Sequence, residues 1–126
     1  MGFELEFYST ENGKQPVVDF IKSLSAKDSA KVLRDLDLLQ EFGYNLHFPY
    51  VDTIKGDKYK GLLELRTKLA SNIFRIFYFV LLCDSGSQTH RAVLLHGIQK
   101  KTNKTPKKEL EIALERMKNY LSRGKK

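Results

Sequence analysis

Apolar and polar residues alternate along Phe3-Glu4-Leu5-Glu6-Phe7, the period of a strand with one face buried. After the turn-prone Glu11-Asn12-Gly13 the period changes. Val17, Phe20, Ile21 and Leu24 fall at i, i+3, i+4 and i+7 behind Pro16, which predicts a helix opened by that proline. Ser25 is placed to cap a second helix, with a stripe of Val32, Leu33, Leu36, Leu39 and Phe42 and a stop at Gly43. The connection between them is short, so the pair reads as an antiparallel helical hairpin. Residues 44–59, with Pro49 and Lys55-Gly56-Asp57, read as loop.

Three strand candidates follow, at about Lys60–Lys68, Ile73–Cys83 and Arg91–Ile98. Asp84-Ser85-Gly86-Ser87 supplies a hairpin loop between the last two. Thr105 as N-cap and Pro106 as first residue open a final helix, whose stripe is Leu110, Ala113, Leu114, Met117 and Leu121. Residues 122–126 read as a frayed basic end. The pattern predicts one α+β domain over residues 1–126. It has a small antiparallel-rich sheet of about four strands, an N-terminal helical hairpin and a C-terminal helix.

Composition fits that reading: 126 residues, 41% apolar and 29% charged, suit a globular domain with a modest core. One cysteine, Cys83, makes neither an internal disulfide nor a multi-cysteine zinc site, so a reducing cytoplasm is the expected home. The acidic first residues do not resemble a signal peptide, and no long uncharged run predicts a membrane span. The net charge of +7 is unevenly placed. Residues 1–96 hold 12 Lys/Arg against 12 Asp/Glu, whereas residues 97–126 hold 10 against 3. A field gathered at one end suits a polyanion, nucleic acid first, although an acidic protein would fit it as well.

His47, His90 and His96 show no metal-ligand spacing, no nucleophile–base pair stands out, and no glycine-rich phosphate loop is present. His96, inside an apolar strand, reads better as a satisfied structural histidine than as a catalytic acid. Period-two alternation puts Leu63 and Leu65 on one strand face and Lys60, Glu64, Arg66 and Lys68 on the other. Arg75 interrupts the apolar run Ile73–Val80 on the expected neighbouring strand. A buried arginine needs a partner, so it is either tied to Glu64 or part of a cationic pocket. Lys100, Lys101 and Lys104 bring further cations after the next strand. Such a set suits RNA cleavage by attack of the 2′-hydroxyl on the adjacent phosphate. That reaction needs a base, an acid and cations for the developing charge, but no metal and no cofactor. Arginines suit the phosphate oxygens, and a lysine crowded by cations, or Glu64, could move the proton.

The segments Leu63-Glu64-Leu65-Arg66, Phe74-Arg75-Ile76-Phe77-Tyr78 and Leu94-Leu95-His96-Gly97-Ile98-Gln99-Lys100-Lys101-Thr102-Asn103-Lys104-Thr105-Pro106 resemble the HigB-like branch of the RelE/ParE toxin superfamily. The resemblance covers Phe3 to about Tyr120. It implies a type II toxin–antitoxin toxin that cleaves mRNA on the ribosome and inhibits translation. Its partners would be ribosome, mRNA and a HigA-like helix-turn-helix antitoxin, with operator DNA met only through the antitoxin complex and no membrane. On this resemblance Arg66 and Arg75 match the strand arginines of the site, and Lys100, Lys101 and Lys104 its basic segment. Glu64 joins them by alternation, and Lys60, Lys68, Lys107 and Lys108 are the cations left to hold RNA. The three histidines do not reproduce the histidine-and-acid arrangement of other relatives. The same fold also hosts gyrase poisons, and a non-catalytic RNA-binding module would carry the same cations.

Overall fold

A computed structural model describes residues 2–82, 90–100 and 105–123. The chain runs β1 (Phe3–Phe7), α1 (Pro16–Lys22), α2 (Ala26–Phe42), β2 (Val51–Thr53), β3 (Leu63–Leu69), β4 (Asn72–Leu81), β5 (His90–Lys100) and α3 (Lys107–Arg123). The strands form one sheet in the order β1-β5-β4-β3-β2. Neighbours are antiparallel except β1, which lies parallel to β5.

Central β4 explains the layering. Along it Phe74, Ile76 and Tyr78 enter one core while Phe77 and Phe79 enter another. A strand covered on both sides reads as a continuous apolar run, which is why its periodicity is faint in the sequence. α1 and α2 supply Val17, Ile21, Val32, Leu36 and Leu39 to the first core. α3 supplies Ala113, Leu114 and Met117 to the second, on the opposite face. The mixed α+β architecture expected from the sequence is therefore present.

Several details differ. The sheet has five strands, because part of the expected 44–59 loop pairs with β3 as β2, with Asp52 opposite Glu64. One-turn 3-10 helices at Gly43–Asn45 and Asp57–Tyr59 flank that short strand. β3 begins at Leu63 rather than Lys60, because the backbone turns at Gly61, φ 96°. The two N-terminal helices pack chiefly on the sheet, α1 on β5 and α2 on β3 and β1, and less on each other. Leu33, Phe42 and Leu121 are exposed rather than buried, since each stripe is wider than the surface that covers it. α3 starts at Lys107, with the Pro106 carbonyl accepting from the Glu109 and Leu110 N–H groups. Ser122 and Arg123 remain helical, and Arg123 donates to the Ser9 carbonyl at 2.8 Å. Cys83, the 84–87 loop and residues 101–104 lie outside the described residues.

Two features of β5 set up its far end. Its pairing with β4 slips between Phe77 and Tyr78, which leaves Leu95 as an extra residue. Leu95 enters the α3 core and His96 also meets α3, so the bulge aims two successive side chains at one helix. Gly97 then faces α1. A Cβ there would lie 2.4 Å from a ring carbon of Phe20. The glycine thus marks a close helix–strand approach, and the strand continues through it to Lys100. Gly97→Ala should cost about 1–3 kcal/mol by overpacking, read by chemical denaturation. Adding Phe20→Leu should recover part of the loss.

Candidate active site

β3 and β4 are joined by a two-residue turn at Ala70-Ser71, where Ala70 takes φ 55°. The resulting register sets Arg66 opposite Arg75, and Ile73 opposite both Lys68 and Lys100. Alternation then turns Glu64, Arg66 and Arg75 toward the α3 face.

Glu64 is the hub. Its carboxylate is buried, and its Oε2 accepts from Arg75 Nη1 at 2.5 Å and from Arg66 Nε at 2.7 Å. Arg66 also reaches Asp52 of β2, Nη2 to Oδ2 at 3.3 Å. The two arginines are unequally exposed, 11% for the Arg75 side chain and 28% for Arg66. The Nε of Arg75 is buried and has no hydrogen-bond partner among the described residues. Of the two readings of Arg75 left open by the sequence, the tie to Glu64 is present; Arg75 also acts electrostatically on Lys100, but it does not line the adjacent concavity.

Lys100 completes the cluster from the end of β5 and is itself buried. Burial, with Arg75 and then Arg66 adding repulsion against the opposing pull of Glu64, holds its ammonium pKa down at about 8. A lysine in that range exchanges a proton near neutral pH, which an ordinary lysine does not. Asp52, Thr53, Ile54, Lys55, Glu64, Arg66, Thr105 and Leu110 line an open concavity of about 430 Å³ at the Glu64–Arg66 side of the cluster. This recess lies on a sheet face, roofed at one side by the start of α3; Lys55 and Arg66 balance Asp52 and Glu64 in its lining, to which Arg75 and Lys100 do not contribute.

Not every expected cation converges there. Lys60 lies beyond the Gly61 turn and lines a different concavity, with Asp57, Leu62 and Val80, so alternation does not carry it to the Glu64 face. Lys68 is exposed two residues beyond Arg66. Lys107 and Lys108 are exposed on the first turn of α3, next to Thr105. Lys101 and Lys104 lie outside the described residues. Two other basic residues of the C-terminal part are used internally: Arg116 donates to the Leu95 carbonyl at 3.0 Å, and Arg123 is tied to Ser9.

His96 stands apart from this cluster. Its Nε2 lies 2.6 Å from Glu109 Oε1, and its Nδ1 3.1 Å from Arg116 Nη1. Arg116 is only a donor, so Nδ1 accepts and Nε2–H donates to Glu109, which is the neutral imidazole. Burial lowers its pKa, with Glu109 opposing and Arg116 reinforcing the shift. Its ring stacks on Phe77, centroids 6.2 Å apart. Both nitrogens are occupied in holding α3 to the sheet.

Asp52, Thr53, Ile54 and Lys55 line the concavity from the segment that the sequence reading left as loop, and Phe48 of the same segment reaches Arg66. Phe48 lies over the Arg66 guanidinium, 5.4 Å from ring centroid to Cζ. A three-residue edge strand is too short to show alternation, and nothing local marks Phe48 as a neighbour of Arg66.

Glu64→Ala should destabilise the fold by about 3–5 kcal/mol, because it leaves clustered buried cations without their anion; urea unfolding measures it. Lys100 gives a pH signature. Its folded pKa of about 8 lies below the ordinary 10.5, so between those values the unfolded chain holds the extra proton. The Lys100 contribution to stability should therefore rise from pH 8 toward 10.5 and be least favourable below 8. The stability difference between wild type and Lys100→Met should shift over that window and stay flat below it.

The family model "Phage derived protein Gp49-like (DUF891)" matches residues 19–118, a span that includes the whole Glu64–Arg66–Arg75–Lys100 cluster. Searches of curated proteins and of solved structures give no match. Among the described residues no helix is long and apolar enough to cross a membrane. The chain belongs to the Gp49-like family of phage-derived proteins, a family linked to toxin–antitoxin toxins of the RelE/ParE type.

Proposed function

We propose that the protein is the toxin of a type II toxin–antitoxin module and an endoribonuclease of the HigB-like kind. It cuts mRNA by attack of a 2′-hydroxyl on the adjacent phosphate. The observation that carries this reading is the cluster itself: two arginines fixed on a buried carboxylate beside a buried lysine that titrates near 8.

Each part has a role in that reaction. Arg66 and Arg75 stabilise the charge that gathers on the phosphate oxygens as the 2′-oxygen bonds to phosphorus. They are already oriented by Glu64, so little reorganisation remains for the reacting state. Lys100 is the proton-transfer group. With a pKa of about 8, roughly a tenth of it is neutral at pH 7, enough to accept the hydroxyl proton as the new P–O bond forms. The Lys100 ammonium so formed, or a water, gives the leaving 5′-oxygen a proton as its bond to phosphorus breaks. Glu64 is a weaker candidate base, because the same oxygen already accepts from both arginines. Lys101 and Lys104 follow directly in sequence and extend the cationic segment, while Lys68, Lys107 and Lys108 hold backbone phosphates at the rim. Lys60, facing another concavity, contributes only to the general field.

The recess is open and shallow, so it positions an RNA strand poorly by itself. The ribosome supplies that positioning by presenting mRNA in a fixed path, and orientation of this kind contributes several kcal/mol to a reaction barrier. The neutralising partner is a helix-turn-helix antitoxin of the HigA-like kind, acidic where it meets the basic C-terminal part. Operator DNA is contacted through that antitoxin, and the toxin acts in the cytoplasm.

Primer extension on a translated transcript tests the reading. Wild type should cut within codons. Arg66→Ala, at the more exposed end of the arginine pair, should reduce cutting about 10²–10³-fold with the fold retained. The kcat/KM of cleavage, which reports the free protein, should rise with pH to about 8 and level off there. Lys100→Arg should lose that pH step and about 10²–10⁴ of the rate. Full activity in both variants would remove the cluster from catalysis, and stalled DNA replication without RNA cuts would point to a gyrase poison.

A further inference from the structure

Phe48 is 68% exposed, the most exposed of the large hydrophobic side chains among the described residues. Its loop is nevertheless well anchored. Leu46 and Val51 pack against the α1/α2 core on either side. The Tyr50 carbonyl accepts the Arg66 N–H at 2.7 Å, and the Tyr50 N–H donates to the His47 carbonyl at 2.9 Å. The ring itself is held outside, against one cation. That cation is the Arg66 guanidinium, 5.4 Å from the ring centroid. One face of the ring therefore covers a cation of the recess, and most of the ring surface remains open to water. A single exposed aromatic is unremarkable on a surface. One fixed on the phosphate-facing arginine of the recess is a stacking platform.

We propose that Phe48 stacks on a nucleobase of the bound RNA, so that base, ring and Arg66 guanidinium form a three-layer stack beside the phosphate. The proposal rests on the reading of the recess as an RNA phosphate site. The chemistry is general. Every base has a flat π-face, so a platform of this kind grips any base and adds little sequence preference. It also explains the side-by-side placement of an aromatic ring and a phosphate-binding arginine, since base and phosphate of one nucleotide are separated by only a ribose. Arg66 is then held from three directions, by Glu64, Asp52 and Phe48.

The test uses the full chain and short single-stranded RNAs carrying 2-aminopurine at each position in turn. Stacking should quench the fluorophore at one position in wild type. Phe48→Trp should keep the quench, while Phe48→Ala should lose it and weaken binding about ten- to hundredfold. An RNA abasic at that position should bind wild type and Phe48→Ala equally. An equal loss on intact and abasic RNA would overturn the proposal, because the ring would then act only by holding Arg66. Cleavage of a translated transcript, read in parallel, separates this proposal from the nuclease reading. Cutting by wild type with a quench indifferent to Phe48→Ala overturns the stack and leaves the nuclease. A Phe48-dependent quench without cutting keeps the stack and overturns the nuclease.

Discussion

A single buried carboxylate holds the charged face of this sheet together. Arg66, Arg75 and Lys100 converge from three adjacent strands, and three cations in a partly dry place repel one another. Glu64 makes the arrangement tolerable by binding both guanidiniums through one oxygen. Such a cluster stabilises the fold little compared with apolar residues of the same size, but removing one member leaves charge without compensation. What the carboxylate provides is placement. The guanidinium planes are fixed before any ligand arrives, at positions set by the two-residue Ala70-Ser71 turn and the register it imposes.

That placement depends on a scaffold that is apolar on both sides. β4 sends Phe74, Ile76 and Tyr78 to α1 and α2 and Phe77 and Phe79 to α3, so the strand carrying Arg75 is clamped along its length. The β5 bulge turns Leu95 and His96 together onto α3, and the Glu109–His96–Arg116 chain fixes the helix there. Tyr59 adds a second tie through Glu111, at 2.5 Å. The start of α3 is in this way held against the recess, where Thr105 and Leu110 form part of the wall. The basic C-terminal part divides into two uses as a result. Arg116 and Arg123 fasten the helix, while Lys107 and Lys108 face solvent.

Strand alternation and the isolated Arg75 made the centre of the site legible, because both are local signals tied to a rigid geometry. Glu64 and Arg66 are two residues apart, and in a strand that alone puts them on one face. The same rule failed at Lys60, where Gly61 turns the backbone and ends the alternation. It was silent for Asp52 and Phe48, whose approach to Arg66 depends on a loop returning to pair with β3. Helix stripes had the opposite fault. Leu33, Phe42 and Leu121 satisfy the helical period, yet the sheet is narrower than the stripe. Periodicity reports which side of an element faces inward, and not how far the covering surface extends.

On the proposed nuclease reading, the charge balance of the cluster bears on which group would move the proton. Among the described residues Arg66, Arg75 and Lys100 face Glu64 and Asp52, and the Asp52 carboxylate is substantially exposed. The buried part of the cluster is therefore short of negative charge, which adds to burial, the larger cause, in lowering the Lys100 pKa. A phosphate entering the recess would supply that charge and raise the pKa again, favouring the ammonium. The same lysine is thus easier to deprotonate before substrate binds and a better proton acceptor once the phosphate is in place. Glu64 has no such freedom, since any proton it accepted would compete with the two guanidiniums it positions. On the proposed reading the labour divides accordingly: the carboxylate sets the arginines, and the lysine at the end of the neighbouring strand would respond to the substrate.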